Sequence, residues 1–246
     1  MANDGQIAVI TGASGGIGRA VAAALVSRGF RTCLTGRDGV RLQSVADELA
    51  TDGARPTIVG ADLGRDDDVR AVVAAVEAMG RVDVLVHAAG AIRLGDVMAA
   101  GPEDLDEMYR VNFRAPYLLT QALQPLLVAS RGQVVFINST AALRSGADND
   151  LYAATKQALR ALAGSLRDRL NPLGVRVLSV FPGRTATRLQ EQVHAFEGKS
   201  YEPATLLQPN DVADVVIHAL TLPRTVEVTD VMLRPMVKPS NTRSSR

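Results

Sequence analysis

Tyr152 and Lys156 stand four residues apart in Tyr152-Ala153-Ala154-Thr155-Lys156, inside an alanine- and leucine-rich helical pattern. Residues at i and i+4 share one face of a helix, so an ammonium is placed beside a phenol. A free tyrosine titrates near about 10 and is a poor acid–base catalyst at neutral pH. A neighbouring ammonium stabilises the phenolate and is expected to lower that value, toward the range where general acid–base catalysis is efficient. Ser139 lies thirteen residues upstream of the tyrosine, just past an apolar run, Val134-Val135-Phe136-Ile137. A hydroxyl at a strand end can hold a carbonyl oxygen.

A second segment supplies a place for phosphates. Thr11-Gly12-Ala13-Ser14-Gly15-Gly16-Ile17-Gly18 follows the apolar run Ile7-Ala8-Val9-Ile10 and opens a helical stretch. Gly12 suits a tight turn, Gly16 removes a side chain where the backbone must approach a pyrophosphate, and Gly18 lets the helix pack close to the sheet. The N-terminus of the following helix offers free N–H groups and a positive dipole end. The spacing is Gly-x-x-x-Gly-x-Gly rather than the G-x-G-x-x-G of the common dinucleotide fingerprint. Cofactor cradle and phenol together describe chemistry that moves a hydride and a proton.

The second strand ends Leu34-Thr35-Gly36-Arg37-Asp38. An acid at a strand end accepts hydrogen bonds from the ribose of NAD, whereas an arginine pairs with the 2′-phosphate of NADP. Gly36 leaves the strand end without an acid and Arg37 is placed for a phosphate, so NADP is favoured over NAD. Asp38 either competes for the ribose or begins the next helix.

These residues need a scaffold, and alternation along the chain provides it. Strands are predicted at 7–10, 32–35, 57–59, 82–86, 134–137, 175–180 and 226–231. Helices are predicted from the glycine turn to about 29, then over about 40–50, 67–79, 103–128, 152–170 and 211–220. Short apolar strands separated by helices imply βαβ units and a parallel sheet covered on both faces. Right-handed crossovers then leave a single α/β domain: a doubly wound, mostly parallel sheet flanked by helices, of the Rossmann type. We expect that domain to span 1–237, with a substrate lid over about 184–208 and a frayed polar tail over 238–246. Asp66 to Asp68 put negative charge at the positive end of a helix.

Bulk properties exclude other classes. Lys and Arg number 27 against 26 Asp and Glu, a net charge of +1, so no basic field favours nucleic acid or anionic lipid. The single cysteine, Cys33, precludes a disulfide framework and reads as a small buried hydrophobe. No apolar run approaches the roughly 20 residues that span a bilayer, and no signal segment opens the chain. The expectation is a soluble, cytoplasmic protein without a membrane or nucleic-acid partner. His87, His194 and His218 lack metal-ligand spacing, so no metal is expected. His87 is read as a satisfied strand-end histidine rather than an extra acid–base group.

Taken in order, Thr11 to Gly18, Asp62-Leu63, Ala89-Gly90, Asn112, Ser139, Tyr152, Lys156 and Pro182-Gly183 resemble the short-chain dehydrogenase/reductase family over nearly the whole chain. The resemblance implies roles. Tyr152 is the general acid in reduction and base in oxidation. Lys156 binds the nicotinamide ribose and tunes Tyr152. Ser139 orients the substrate carbonyl, and Asn112 helps place a water in a proton relay. Asp62 and Leu63 contact the adenine side, and the backbone at Gly90 passes the cofactor. Gly12, Ser14, Gly16, Ile17, Gly18, Arg37, Ala89, Pro182, Gly183 and Thr185 complete the implied cofactor contacts.

One departure is His87-Ala88-Ala89-Gly90 where the family shows Asn-Asn-Ala-Gly, which puts local hydrogen bonding there in doubt. The relay also has a physical argument in this chain. Pro116, four residues past Asn112, has no N–H for the Asn112 carbonyl. If the helix continues, that carbonyl is released for water.

The expected activity is interconversion of a small ketone or aldehyde and an alcohol. A non-catalytic NADP-binding redox sensor and a 3-oxoacyl carrier-protein reductase are the alternatives. The run Leu222 to Val228 looks like the branch containing 3-hydroxy-acid and serine dehydrogenases, and the chain lacks the Gly-Gly ending of the carrier-protein branch. In the 184–208 segment Arg188, Leu189, Val193, Phe196 and Tyr201 are pocket candidates, as are Arg93, Leu94 and Arg144 past strand ends. The helices holding Asn112 and Tyr152 are apolar on more than one face, and the family resemblance implies a homotetramer or homodimer.

Overall fold

The computed structural model describes residues 5–51, 55–144 and 150–237. Seven parallel strands form one sheet: β1 (Ile7–Thr11), β2 (Arg31–Gly36), β3 (Thr57–Gly60), β4 (Val84–His87), β5 (Gln133–Ile137), β6 (Arg176–Pro182) and β7 (Asp230–Leu233). Their order across the sheet is β3-β2-β1-β4-β5-β6-β7. The order reverses between β1 and β4, and ligands bind doubly wound sheets outside the strand C-termini at such a point.

Eight helices connect the strands: α1 (Gly16–Val26), α2 (Gly39–Glu48), α3 (Asp66–Met79), α4 (Pro102–Tyr109), α5 (Ala115–Ser130), α6 (Asp150–Leu170), α7 (Arg188–Phe196) and α8 (Pro209–Thr221). β1 alternates its side chains between two apolar layers. Ala8 and Ile10 face the layer formed with Val21, Leu25, Leu42, Val212 and Val216, from α1, α2 and α8. Ile7 and Val9 face the layer formed with Val72, Val76, Leu119, Leu123 and Leu159, from α3, α5 and α6. Cys33 lies in the second layer, fully buried, and burial pushes its thiol up to about 11. It packs as a hydrophobe.

The predicted helix over 103–128 is continuous but not regular. α4 passes through a π-helical turn, Arg110–Arg114, into α5, with Ala115 N–H donating to the Arg110 carbonyl five residues back. Pro116 sits in the first turn of α5, and a second proline, Pro125, lies inside it. The helical backbone therefore runs through Pro116, which contributes no N–H to the Asn112 carbonyl. α6 begins at Asp150 rather than Tyr152.

The last strand is displaced from 226–231 to Asp230–Leu233. Side chains take the place of ladder bonds over the earlier part. Arg176 donates to the carbonyls of Leu222, Pro223 and Val226 (3.2, 3.3 and 2.8 Å), and the Glu227 carboxylate accepts from Val177 N–H at 3.0 Å.

The segment 184–208 is not an open loop. It contains α7 and a short 3₁₀ turn at Pro203–Thr205, and its two ends join in a parallel bridge between Thr185 and Leu207. Ala186 N–H donates to Leu207 O at 2.7 Å and Leu207 N–H to Arg184 O at 3.1 Å. The proposed tail, 238–246, lies outside the described residues. Among the described residues no helix is long and apolar enough to cross a membrane, and no group of three or more His, Cys, Asp or Glu side chains is placed to hold a metal.

Candidate active site

A cleft of about 750 Å³ opens along the C-terminal edge of the sheet and takes walls from the ends of β1, β4, β5, β6 and β7. Its floor at the switch point is the glycine turn. Gly12 has φ +67°, and a Cβ there would lie 2.7–2.8 Å from backbone atoms of Ala88 and Ala89. Only glycine allows β1 to exit this close to β4. Gly18 lies one turn into α1, so near the Gly12 carbonyl that a Cβ would overlap it. α1 begins at Gly16 with no side-chain cap and no acidic residue in its first turn. Its N–H groups and positive dipole end therefore open on the cleft with no side-chain cap and no acid of their own first turn against them.

Beside the His87-Ala88 departure, Thr11 satisfies the backbone. Its hydroxyl accepts from the N–H groups of Ala88 and Ala89 (3.0 and 3.2 Å) and donates to the Val86 carbonyl at 3.3 Å. The next residues are secured by Asn112. Its amide clamps Ala91 from both sides, Oδ1 accepting from Ala91 N–H and Nδ2 donating to Ala91 O, each at 2.8 Å. Nδ2 also donates to Thr155 Oγ1 at 3.0 Å, and that hydroxyl donates to the Tyr152 carbonyl at 2.8 Å. Asn112 is fully buried behind Gly90. Its side chain ties the exit of β4 to the helix that carries the tyrosine.

Ser139, Tyr152 and Lys156 converge on one wall of the cleft. Ser139 follows β5, and its hydroxyl is hydrogen-bonded to the Tyr152 phenol while accepting from Ala141 N–H at 3.1 Å. Lys156 is 3% exposed, with Nζ donating to the Ile137 carbonyl at 3.1 Å and lying 5.8 Å from the Tyr152 ring centroid.

The expected depression of the phenol by the ammonium is corrected here. Burial pushes Tyr152 above the ordinary tyrosine value, and the Ser139 hydrogen bond opposes that only in part. Lys156 Nζ donates to the Ile137 carbonyl rather than to the phenol, and burial lowers its own value from 10.5 to about 8.

That lowered value has a stability consequence. Below about pH 8 the ammonium is charged in both folded and unfolded chains, and only the folded one bears the desolvation. Stability contributed by this group therefore rises as pH climbs from about 8 to about 10.5. Lys156→Met removes a penalty of about 3 kcal/mol but strips the Ile137 carbonyl of its donor. We expect a net gain of about 1–2 kcal/mol at pH 7 that shrinks toward pH 10.5, together with lost activity. Urea titrations at the two pH values check this; a variant less stable at pH 7 contradicts it.

His87 is half satisfied rather than satisfied. Nε2 shares a 2.8 Å hydrogen bond with Thr120 Oγ1 and the ring stacks on Phe136 at 4.9 Å, while Nδ1 is buried with no partner among the described residues. Burial lowers its value to about 3, so the ring is neutral and takes no part in proton transfer near pH 7.

Of the sequence candidates, Gly12, Ser14, Gly16, Ile17, Ala89, Gly90, Pro182, Gly183 and Thr185 line the cleft with Ser139, Tyr152 and Lys156. Gly18 and Asn112 stand behind the wall, and Asp62 and Leu63 do not line the cleft. Asp62 is occupied locally, its Oδ1 accepting from Gly64 N–H at 2.9 Å and its own N–H donating to Asp68. Arg37 is also off the wall, largely exposed and 3.7 Å from Glu107. Asp38 caps α2, its Oδ1 accepting from Arg41 N–H at 3.0 Å.

Leu94, Arg144, Arg188, Leu189, Val193 and Phe196 line the cleft, whereas Tyr201 packs on His194 and Arg93 is held by Asp104 and Glu107. Sequence reasoning missed Arg41, Thr187 and Arg234, all on the wall. Arg41 lies one turn beyond Arg37, a spacing that could have flagged it. Thr187 caps α7 and sets its methyl over Gly16, a contact only the tertiary fold shows.

A doubly wound sheet with a glycine turn at its switch point and a Ser–Tyr–Lys wall beside it defines an α/β oxidoreductase scaffold. Residues 6–198 match the short chain dehydrogenase family. An uncharacterized oxidoreductase of Staphylococcus epidermidis is 33% identical over 236 residues, covering 94% of this chain and 97% of its own. A metagenomic short-chain oxidoreductase solved in complex with NADP is 34% identical, with a TM-score of 0.81 over 96% of this chain and 99% of that one. An alcohol dehydrogenase from Thermococcus sibiricus, complexed with 5-hydroxy-NADP, is 30% identical with a TM-score of 0.84 over 96% and 99% of the two chains. The chain belongs to the short-chain dehydrogenase/reductase family.

Proposed function

We propose that this protein is an NADP-dependent oxidoreductase that interconverts a ketone or aldehyde and an alcohol, with Tyr152 as general acid in reduction and base in oxidation. The convergence of Ser139, Tyr152 and Lys156 on the cleft that the glycine turn floors carries this reading. The cleft suits a dinucleotide: α1 opens on it uncapped, and Gly12 and Gly18 allow the close backbone approach. Gly12, Ser14, Gly16 and Ile17 would hold the pyrophosphate, Ala89 and Gly90 the backbone side, and Pro182, Gly183 and Thr185 the nicotinamide end. When bound, the nicotinamide supplies or takes the hydride. Ser139 holds the carbonyl oxygen, Tyr152 gives it a proton, and Lys156 carries positive charge beside them.

NADP complexes among the solved relatives support the cofactor, although a 3-ketoacyl-(acyl-carrier-protein) reductase from Brucella melitensis, 27% identical, was solved with NADH. Arg41 joins Arg37 as a 2′-phosphate ligand in this proposal, because Arg41 is the one on the wall at the β2 end. Arg41→Ala is expected to raise the Kd for NADPH at least tenfold and that for NADH less than twofold, with Arg37→Ala giving a smaller effect in the same direction. Equal loss for both cofactors would remove the NADP assignment. Screening ketones and aldehydes for NADPH oxidation, with Tyr152→Phe as the control, tests the activity itself; a screen that never separates the two proteins favours a sensor.

A further inference from the structure

The chain is nearly neutral, yet the cleft is not. Among the described residues Arg41, Arg144, Lys156, Arg184, Arg188 and Arg234 line it against one carboxylate, Glu197. Burial pushes Glu197 up, but hydrogen bonds from Arg184 and Lys199 outweigh it and keep the carboxylate ionised. Arg184 holds it at 2.5 Å and Lys199 at 2.9 Å, so the lone acid is neutralised by its own neighbours. A cleft with low-dielectric walls and one sign of charge concentrates anions.

The cations divide by position along the sheet. Arg41 lies past β2, on the side where a dinucleotide's phosphates are expected. Arg188 opens α7 next to Thr187, whose methyl covers Gly16, so it stands near the same phosphates. Lys156 belongs to the Ser139–Tyr152 wall, and Arg184 is committed to Glu197 through Nη2. Arg144 and Arg234 remain.

Arg144 follows β5 through the 3₁₀ turn that begins at Ser139, its N–H donating to the Thr140 carbonyl at 3.2 Å. Arg234 follows β7, next to the Leu233 carbonyl that accepts from Gly183 N–H at 2.8 Å. Both lie beyond the catalytic wall, away from the glycine turn, and neither is ion-paired among the described residues. Leu94, Leu143, Val193, Phe196 and Met232 complete the wall as an apolar surface.

We propose that the carbonyl substrate is an anion, an oxo acid or carboxylated aldehyde, whose carboxylate is held by Arg144 and Arg234 while its apolar body lies on this surface. The inference rests on the oxidoreductase reading above and adds the substrate class to it.

The test pairs each acid with its neutral amide: 4-carboxybenzaldehyde with 4-formylbenzamide, and oxo acids of increasing length with their amides, each assayed with NADPH. The wild-type protein is expected to prefer the acid at least tenfold in kcat/KM. Arg144→Ala and Arg234→Ala are each expected to lower that acid-to-amide ratio about tenfold or more, through KM. Should either variant misfold, the unmodified protein still answers, because raising salt from about 20 mM to about 500 mM must raise KM for the acid and not for the amide.

Amides reduced as well as acids would overturn the proposal and leave the enzyme reading intact. A loss of NADPH affinity in Arg144→Ala or Arg234→Ala matching the loss for the acid would assign these arginines to the cofactor and also overturn it. A 3-oxoacyl thioester preferred over every acid would point to a carrier-bound substrate instead. No Tyr152-dependent turnover of either member of any pair would sink the underlying oxidoreductase reading.

Discussion

Tyr152→Phe is expected to lower kcat for carbonyl reduction about 10³-fold while the Kd for NADPH stays within about twofold. A positioned general acid contributes roughly 10²–10⁴ in rate, and the phenol is the group that gives the carbonyl oxygen its proton in the proposed reaction. The ring remains in place, since only the hydroxyl and its hydrogen bond to Ser139 are lost. The folded state should change by no more than about 1 kcal/mol. Because burial holds the phenol above its ordinary value, it is protonated throughout the neutral range. Reduction by the wild-type protein should therefore be flat through neutrality and fall only at alkaline pH. Stopped-flow turnover with fluorescence titration of NADPH separates the effects; an equal loss in binding and turnover would mean that Tyr152 holds the cofactor rather than the proton.

Gly12→Ala carries the largest expected effect on folding. The residue sits at φ +67°, where a side chain costs about 1–2 kcal/mol, and its new Cβ would be 2.7 Å from the Ala89 backbone. That neighbour is no flexible side chain. Ala88 and Ala89 are tied to Thr11, so relief requires β1 and β4 to part. A loss of about 3 kcal/mol or more follows, visible as a fall in Tm of roughly 6–12 °C for a chain of this size. Gly15→Ala is the matched control: its φ is 172° and a Cβ there meets nothing within 4 Å, so its Tm should stay within about 2 °C. Equal destabilisation of both variants would show that the turn, rather than the contact with β4, sets the need for glycine.

The residues legible in the sequence are those whose spacing is local. Gly12 to Gly18 follow an apolar strand and open a helix, and Tyr152 and Lys156 lie one turn apart, so the chain's own periodicity places them. Ser139 was legible because strand ends of parallel sheets meet at one edge. Thr187 is not, because it meets Gly16 only in the tertiary fold, and Arg234 is not, because the expected last strand ends before it; the spacing from Arg37 to Arg41 was legible but unused. The tuning of the phenol was misjudged for a related reason. Spacing shows that Lys156 is near, but not that its Nζ donates to the Ile137 carbonyl or that burial raises the tyrosine more than the Ser139 hydrogen bond lowers it. The final strand was misplaced because Val226-Glu227-Val228 has strand-like composition, whereas Arg176 and Glu227 satisfy that stretch from the side.

The joined ends of the segment between Arg184 and Leu207 have an evolutionary consequence. Thr185 and Leu207 are paired across its base, so the chain enters and leaves at one point on the rim of the sheet. Residues can be inserted, deleted or exchanged around Gly198, where a side chain would meet nothing within 4 Å, for only a slowly growing loop-closure entropy and without shifting β6 or α6. The rim of the cleft can diversify there while the sheet and the Ser139–Tyr152–Lys156 wall are inherited unaltered.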